Sequence, residues 1–160
     1  METLETSHDF KSRLDALELA IAAQPQPDVP ITHRFVPGLY IREMRLTAGM
    51  ILTSMQHLTE HAFVLSDGMV MVTSETEGSV TYEAPFTGVT MAGTRRAMYA
   101  VTDVVWSTFH VTEETDVEKI LEKIVAPNTN LPADYDIGWR RSLPKQISET
   151  PCPPLQPSLS

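Results

Sequence analysis

Two imidazoles four residues apart, with a carboxylate between them, stand near the middle of the chain: His57-Leu58-Thr59-Glu60-His61, inside an otherwise apolar run bounded by Gly49 and Gly68. Closely spaced imidazoles suggest metal chemistry. A divalent ion held by histidines, with one position left to water, lowers the pKa of that water and can polarise a substrate oxygen. On a helix, residues i and i+4 share a face, and HLTEH would match the H-x-x-E-H pattern of the inverted zinc metalloproteases, with Glu60 as general base. The flanks argue against a helix: residues 50–55 and 62–65 are strand-like, and no helix-start pattern precedes His57. On a straight strand the two histidines lie about 13 Å apart, too far for nitrogens that must each approach one ion to about 2.1 Å. A shared ion therefore requires a bend, with His57 ending one strand, His61 starting the next and Thr59-Glu60 at the corner.

The elements that must position these residues follow from periodicity. Residues 7–23 read as an amphipathic helix with Phe10, Leu14, Leu17 and Ile21 in one stripe, capped by Thr6 or Ser7 and stopped by Pro25 and Pro27. Residues 24–38 contain four prolines and read as a linker. Stretches 39–46, 50–55, 62–65, 69–73, 79–83, 89–91, 95–100 and 104–112 are short, rich in β-branched, Met and aromatic residues, and separated by Gly, Pro, Asp and Ser turns. About eight such strands without an intervening helix predict an antiparallel sandwich or barrel rather than a parallel βαβ sheet. Thr115-x-x-Glu118 reads as a capping box opening a second helix, with Val117, Ile120, Leu121, Ile124 and Val125 on its buried face and Pro127 at its end. Beyond it, Tyr135, Ile137, Trp139 and Leu143 offer a docking segment, and residues from about Glu149 onward are expected to be disordered. The expected organisation is an N-terminal helix and linker (1–34), a β domain with a closing helix (35–126) and an extended Pro-rich tail (127–160).

Charge and composition narrow the function. A net charge of -9, with Arg95-Arg96 and Arg140-Arg141 as the only basic pairs, argues against gripping a nucleic-acid backbone. No apolar run approaches the roughly 20 residues of a membrane span, and METLETSHDFK is acidic and polar, unlike a signal peptide. The single cysteine, Cys152, has no internal partner, which suits a cytoplasmic setting.

The spacing around the histidines resembles the first motif of the cupins, a jelly-roll superfamily, written G-x5-H-x-H-x3-E-x6-G. Gly49, Met55, His57, His61 and Gly68 keep every interval, with Met55 in place of the first histidine and His61 in place of the glutamate. The second motif, P-x-G-x-x-H, is similar to Met91-Ala92-Gly93-Thr94-Arg95-Arg96, which puts Arg96 in place of a histidine ligand. The chain also resembles a narrower group of small cupin-like proteins, many encoded by phages and prophages, with the pattern H-x-x-E-H, then G-T-x-R, then W-x-T-x-H-x-T. Here these are His57–His61, Gly93–Arg96 and Trp106–Thr112, and the resemblance covers roughly residues 35–125.

The resemblance implies a mainly β jelly-roll barrel. His110, in phase with Trp106 and Thr108 on the last strand, would replace the ligand lost at Arg96 and complete a Zn, Ni or Fe site with His57 and His61. Glu60 would act as base, with Glu43 as the alternative base or orienting group. Arg96 would hold an anionic substrate group, and Tyr99 would add a hydrogen bond. The structural alternatives are a core His110 bonded to a carbonyl, an Arg96 paired with Asp103 or Glu83, and Trp106 and Tyr99 as packing. His8 and His33 read as surface residues outside the barrel. These residues imply a metal-dependent enzyme acting on a small organic acid or sugar-like molecule. The alternatives are a non-catalytic module for oligomerisation or virion assembly and a regulatory small-ligand sensor. A homodimer is the expected partner state, in a host cytoplasm or a virion.

Overall fold

The computed structural model describes residues 2–127, with side chains from His8 onward. Helix α1 (Glu2–Ala22) is followed by β1 (Ile31–Val36), β2 (Leu39–Leu46), β3 (Ile51–Thr53), β4 (His61–Asp67), β5 (Met69–Ser74), β6 (Gly78–Glu83), β7 (Phe86–Thr90), β8 (Arg96–Ala100), β9 (Val104–Val111) and helix α2 (Val117–Ile124). The strands form two antiparallel sheets, ordered β1-β2-β9-β4-β7 and β3-β8-β5-β6. This is the expected mainly β jelly roll. Among the described residues, however, its two sheets share no hydrogen-bonded strand, so it is a two-sheet sandwich and not a closed barrel. The docking segment and disordered end expected from the tail lie outside the described residues.

One strand was hidden in the expected linker. Pro30 and Pro37 flank Ile31–Val36 without entering it, so the six residues keep their amide groups and pair with β2 along their whole length. Prolines at both ends suit an edge strand, which β1 is. The start of α2 also differs from expectation. Asp116, not Thr115, is the N-cap, and its carboxylate accepts from the amides of Glu118 and Lys119. Glu114 accepts from the amides of Thr115 and Asp116, so the turn before the helix is satisfied as well.

The core between the sheets comes from strand alternation. On β2, Tyr40, Arg42, Met44 and Leu46 face inward; on β9, Val104, Trp106, Thr108 and His110 do. Met44, Leu65, Val70, Val72, Met98 and Trp106 belong to one buried apolar cluster. A second cluster gathers Tyr40 with Ile120, Ile124 and Val125, so α2 covers the end of the sandwich where Tyr40 lies. Helix α1 packs against β3. Leu14 is buried on it, and Asp15 and Glu18 hold Arg95 in a two-carboxylate clamp. No described helix is long and apolar enough to cross a membrane.

Phe63 and Trp106 stack at the centre of the interior, with centroids 4.2 Å apart and planes 12° from parallel. Gly88 on β7 makes the stack possible, because a Cβ there would lie 2.4 Å from Cζ of Phe63. The ring cannot swing aside easily, since Trp106 and Phe86 both bear on it. Gly88→Ala should therefore cost about 1–3 kcal/mol of overpacking strain, read as a lower urea midpoint at unchanged slope; a midpoint equal to the parent's would show that the stack yields.

Candidate functional site

His57 sits in the bend expected between strands, and its backbone is clamped from two sides. Its amide donates to the carbonyl of Thr94 (3.0 Å), and its carbonyl accepts from Gly93 (2.7 Å). On the other side it bridges to Val125, flanked by bonds from Leu58 N to Ile124 O and from Ala126 N to Gln56 O. Gly93 has φ +85°, a left-handed conformation that favours glycine, and this turn carries the chain into β8 and Arg96. Two segments far apart in sequence thus hold one histidine.

His61 opens β4, opposite Thr90 of β7, and His110 lies on β9 opposite Tyr40 of β2. The imidazoles converge: ring centroids are 4.6 Å apart for His57 and His61, and 4.4 Å apart for His61 and His110. All three are buried. Each carries a buried nitrogen without a hydrogen-bond partner: Nδ1 of His57, Nε2 of His61 and Nδ1 of His110. The other nitrogen of His61 lies 3.3 Å from the carbonyl of Thr59, and Nε2 of His110 lies 3.0 Å from Oγ1 of Thr108.

Arg96 closes this group from the second sheet. Its backbone is paired with Ser54 in both directions, through Ser54 N to Arg96 O and Arg96 N to Ser54 Oγ. The side chain is 7% exposed. Its guanidinium carbon lies 5.3 Å from the Trp106 ring and 5.5 Å from the Phe63 ring, within cation–π range. Nη2 donates to Oγ1 of Thr90 at 2.8 Å, and Nε has no partner. No carboxylate pairs with it, so neither Asp103 nor Glu83 is its counter-ion among the described residues. The one buried acid among these residues is Glu18, which is held by Arg95.

Burial dominates the electrostatics. It pushes His57 down to about 3, helped by the neighbouring His61, Arg96, His110 and Arg42. It pushes His110 down to about 3 as well, with His61 and Arg42 adding to the effect. His61 is also lowered, by burial and then by Arg96 and Arg42, against a raising contribution from its bond to Thr59. The imidazoles are therefore neutral at physiological pH. Arg96 is lowered by burial to about 10, against raising contributions from Tyr82 and Glu77, and stays charged. Neutral imidazoles with free nitrogens have the donor chemistry of a divalent-ion site. Their placement does not fit one, because among the described residues no three His, Cys, Asp or Glu side chains are disposed to hold an ion.

The other expected site residues lie elsewhere. Glu60 is exposed at the corner, outside the interior that holds the imidazoles. Tyr99 is 38% exposed: strand alternation turns it outward between the inward-facing Met98 and Ala100. Glu43 also faces outward and pairs with Arg34 and Arg45. None of the three reaches the buried group, so the roles expected of them there have no geometric support. His8 is exposed, as expected. His33 is not outside the sandwich: it is half-buried on β1, with Nδ1 2.8 Å from the hydroxyl of Tyr40. Tyr40, Arg42 and Thr90 were missed by the sequence reading. For Arg42 the clue was its parity, a lone cation in the apolar phase of β2 between Tyr40 and Met44.

No protein-family model and no curated protein matches this chain. Among solved structures it is similar to salicylate 1,2-dioxygenase from Pseudaminobacter salicylatoxidans, with TM-score 0.51 and 16% identity over 72% of this chain and 36% of the dioxygenase. The same enzyme with gentisate gives TM-score 0.50 at 16% identity. A cupin superfamily protein from Desulfitobacterium hafniense gives TM-score 0.46 at 8% identity, over 55% of this chain and 81% of that one. The chain spans only about a third of the dioxygenase, and at 16% identity the likeness is one of fold.

The depressed imidazoles set a pH dependence for the metal-free protein. Below pH 6.5 the unfolded chain takes up protons that folded His57 and His110 refuse until about pH 3, so stability falls as pH drops through this window, by up to about 1.4 kcal/mol per pH unit for each histidine. His57→Gln and His110→Gln should each flatten the fall in unfolding free energy between pH 6.5 and 4.5 relative to the parent; identical slopes in parent and variants would refute it.

Proposed function

We propose that this is a cupin-like protein whose interior binds a small organic anion, with Arg96 as the principal contact. One observation carries this reading: a charged guanidinium is buried with one hydroxyl contact, a free Nε and, among the described residues, no carboxylate in direct contact, Glu77 acting on it only through space. A buried charge without a hydrogen-bonded counter-ion is costly, and a ligand carboxylate or phosphate would supply one through paired hydrogen bonds. Neutral His57, His61 and His110 would then donate to, or accept from, the rest of the ligand. Salicylate, the substrate named for the dioxygenase of similar fold, is a carboxylate and a suitable first probe. Glu60 and Tyr99 lie outside the interior, so the proposal is binding and names no reaction.

A second reading, a divalent metal at the three histidines, is favoured by their three unpartnered nitrogens. It requires side-chain rearrangement to bring those nitrogens onto one ion. The motifs shared with phage-encoded cupin-like proteins suggest a host cytoplasm or a virion as the setting, where the same interior could serve an assembly module.

Calorimetry and thermal melts with salicylate test the anion reading. The parent should bind and melt higher with ligand, and Arg96→Lys should weaken binding by about tenfold or more through loss of the planar fork. Arg96→Met should abolish binding while leaving the free protein as stable as the parent or more so, because the buried unpaired charge is gone. No response to carboxylates or phosphate, together with an Arg96→Met variant destabilised by several kcal/mol, would make Arg96 a structural residue. Metal analysis of protein purified without an affinity tag, beside His57→Ala, decides the second reading: one ion per chain in the parent and none in the variant would support it.

A further inference from the structure

If Arg96 binds an anion, as proposed above, the groups around it define what else the ligand must carry. His61 is neutral, so its ring holds one proton. Nδ1 lies 3.3 Å from the carbonyl oxygen of Thr59. A carbonyl only accepts, so the proton is on Nδ1. Nε2 is then a bare lone pair, buried without a hydrogen-bond partner. A lone pair so placed is satisfied by a proton donor, or by the metal ion of the second reading.

On the neighbouring strand the character is reversed. Thr90 of β7 pairs directly with His61 of β4, and both are buried. Oγ1 of Thr90 accepts from Nη2 of Arg96 at 2.8 Å, so its own proton points away from the guanidinium. Arg96 adds an Nε–H without a partner. An acceptor on one strand thus lies one cross-strand step from two donors on the other side. Cross-strand neighbours have Cβ atoms about 5 Å apart, so a small molecule satisfies both only if its anionic acceptor and its proton donor sit on adjacent carbons.

The local field decides between an alcohol and an amine as that donor. The charges of Arg96 and Arg42 both reach His61, adding to the lowering that burial imposes on it. Glu77 also acts on Arg96 but is exposed at the β5–β6 turn. A ligand ammonium beside His61 would be repelled by the two guanidinium groups, whereas a hydroxyl carries no charge to repel.

We propose that the interior binds a small 2-hydroxycarboxylate, with its carboxylate on Nε of Arg96 and the hydroxyl of Thr90, and its own hydroxyl donating to Nε2 of His61. Three near relatives each fail at one point. Propionate leaves the His61 lone pair buried and unmet, pyruvate sets an acceptor against it, and alanine brings a cation toward the arginines.

Calorimetry on the full chain at neutral pH, with and without EDTA, tests it. Lactate should bind about tenfold or more tightly than propionate, pyruvate or alanine, and EDTA should not change the order. His61→Leu should cancel the preference for lactate over propionate; if that variant does not fold, the ligand comparison on the parent decides alone. Equal binding of lactate and propionate, or a preference that persists in folded His61→Leu, would overturn the proposal while leaving Arg96 an anion site. Alanine binding as well as lactate would overturn the choice of a hydroxyl. A preference lost in EDTA would also overturn it, since a metal ion would then be holding the hydroxyl. Failure of all four acids and of salicylate to bind would remove the anion reading itself.

Discussion

The guanidinium of Arg96 is the constraint around which the interior is arranged. A cation this deeply buried must be compensated, and the chain does so with an aromatic face and a hydroxyl. Phe63 and Trp106 come from neighbouring strands β4 and β9, and they stack because Gly88 on β7 leaves room for the Phe63 ring. Thr90, two residues farther along β7, accepts the Nη2 hydrogen bond. The backbone of Arg96 is fixed by Ser54, beyond the end of β3. Residues from both sheets therefore converge on one charge, and that charge in turn helps keep the nearby imidazoles neutral.

Neutrality gives the histidines their chemical range. An imidazolium only donates, whereas a neutral imidazole offers one donor and one acceptor. Thr59 and Thr108 each lie within reach of one ring nitrogen, and the other nitrogens of His61 and His110 are buried without a hydrogen-bond partner. The double clamp on the His57 backbone has a further consequence. Because residues 93–94 and 124–126 both bond to residues 56–58, movement of α2 or of the Gly93 turn would reach the site directly. The N-terminal helix is tied in next door, since Arg95 is held by Asp15 and Glu18 while Arg96 points inward.

Local pattern carried much of this. The strand-like flanks of His57 and His61, together with the reach of a straight strand, were enough to reject a helical zinc motif and to require a bend where one is found. The phase of Trp106, Thr108 and His110 on one strand was legible as well, because side chains alternate strictly along a strand. Tyr99 shows the limit of the same rule. Its parity with Arg95 and Ala97 was readable, but which parity faced inward was decided by the partners of β8, not by β8 itself. Ile31–Val36 was obscured because prolines at both ends look the same in a linker and beside an edge strand.

The sequence by itself determined an antiparallel sandwich or barrel of short strands and the strand-turn-strand setting of the two central histidines, because these depend on periodicity and spacing along the chain; the jelly-roll class and the candidacy of His110 and Arg96 came from the resemblance to the cupins. Only the tertiary structure decided which residues share the interior. It brought Arg42, Tyr40, Thr90 and Thr108 in with the histidines and left Glu60, Glu43 and Tyr99 outside. Long-range strand pairing sets which face of each strand is covered, and a local sequence does not record what will lie against it.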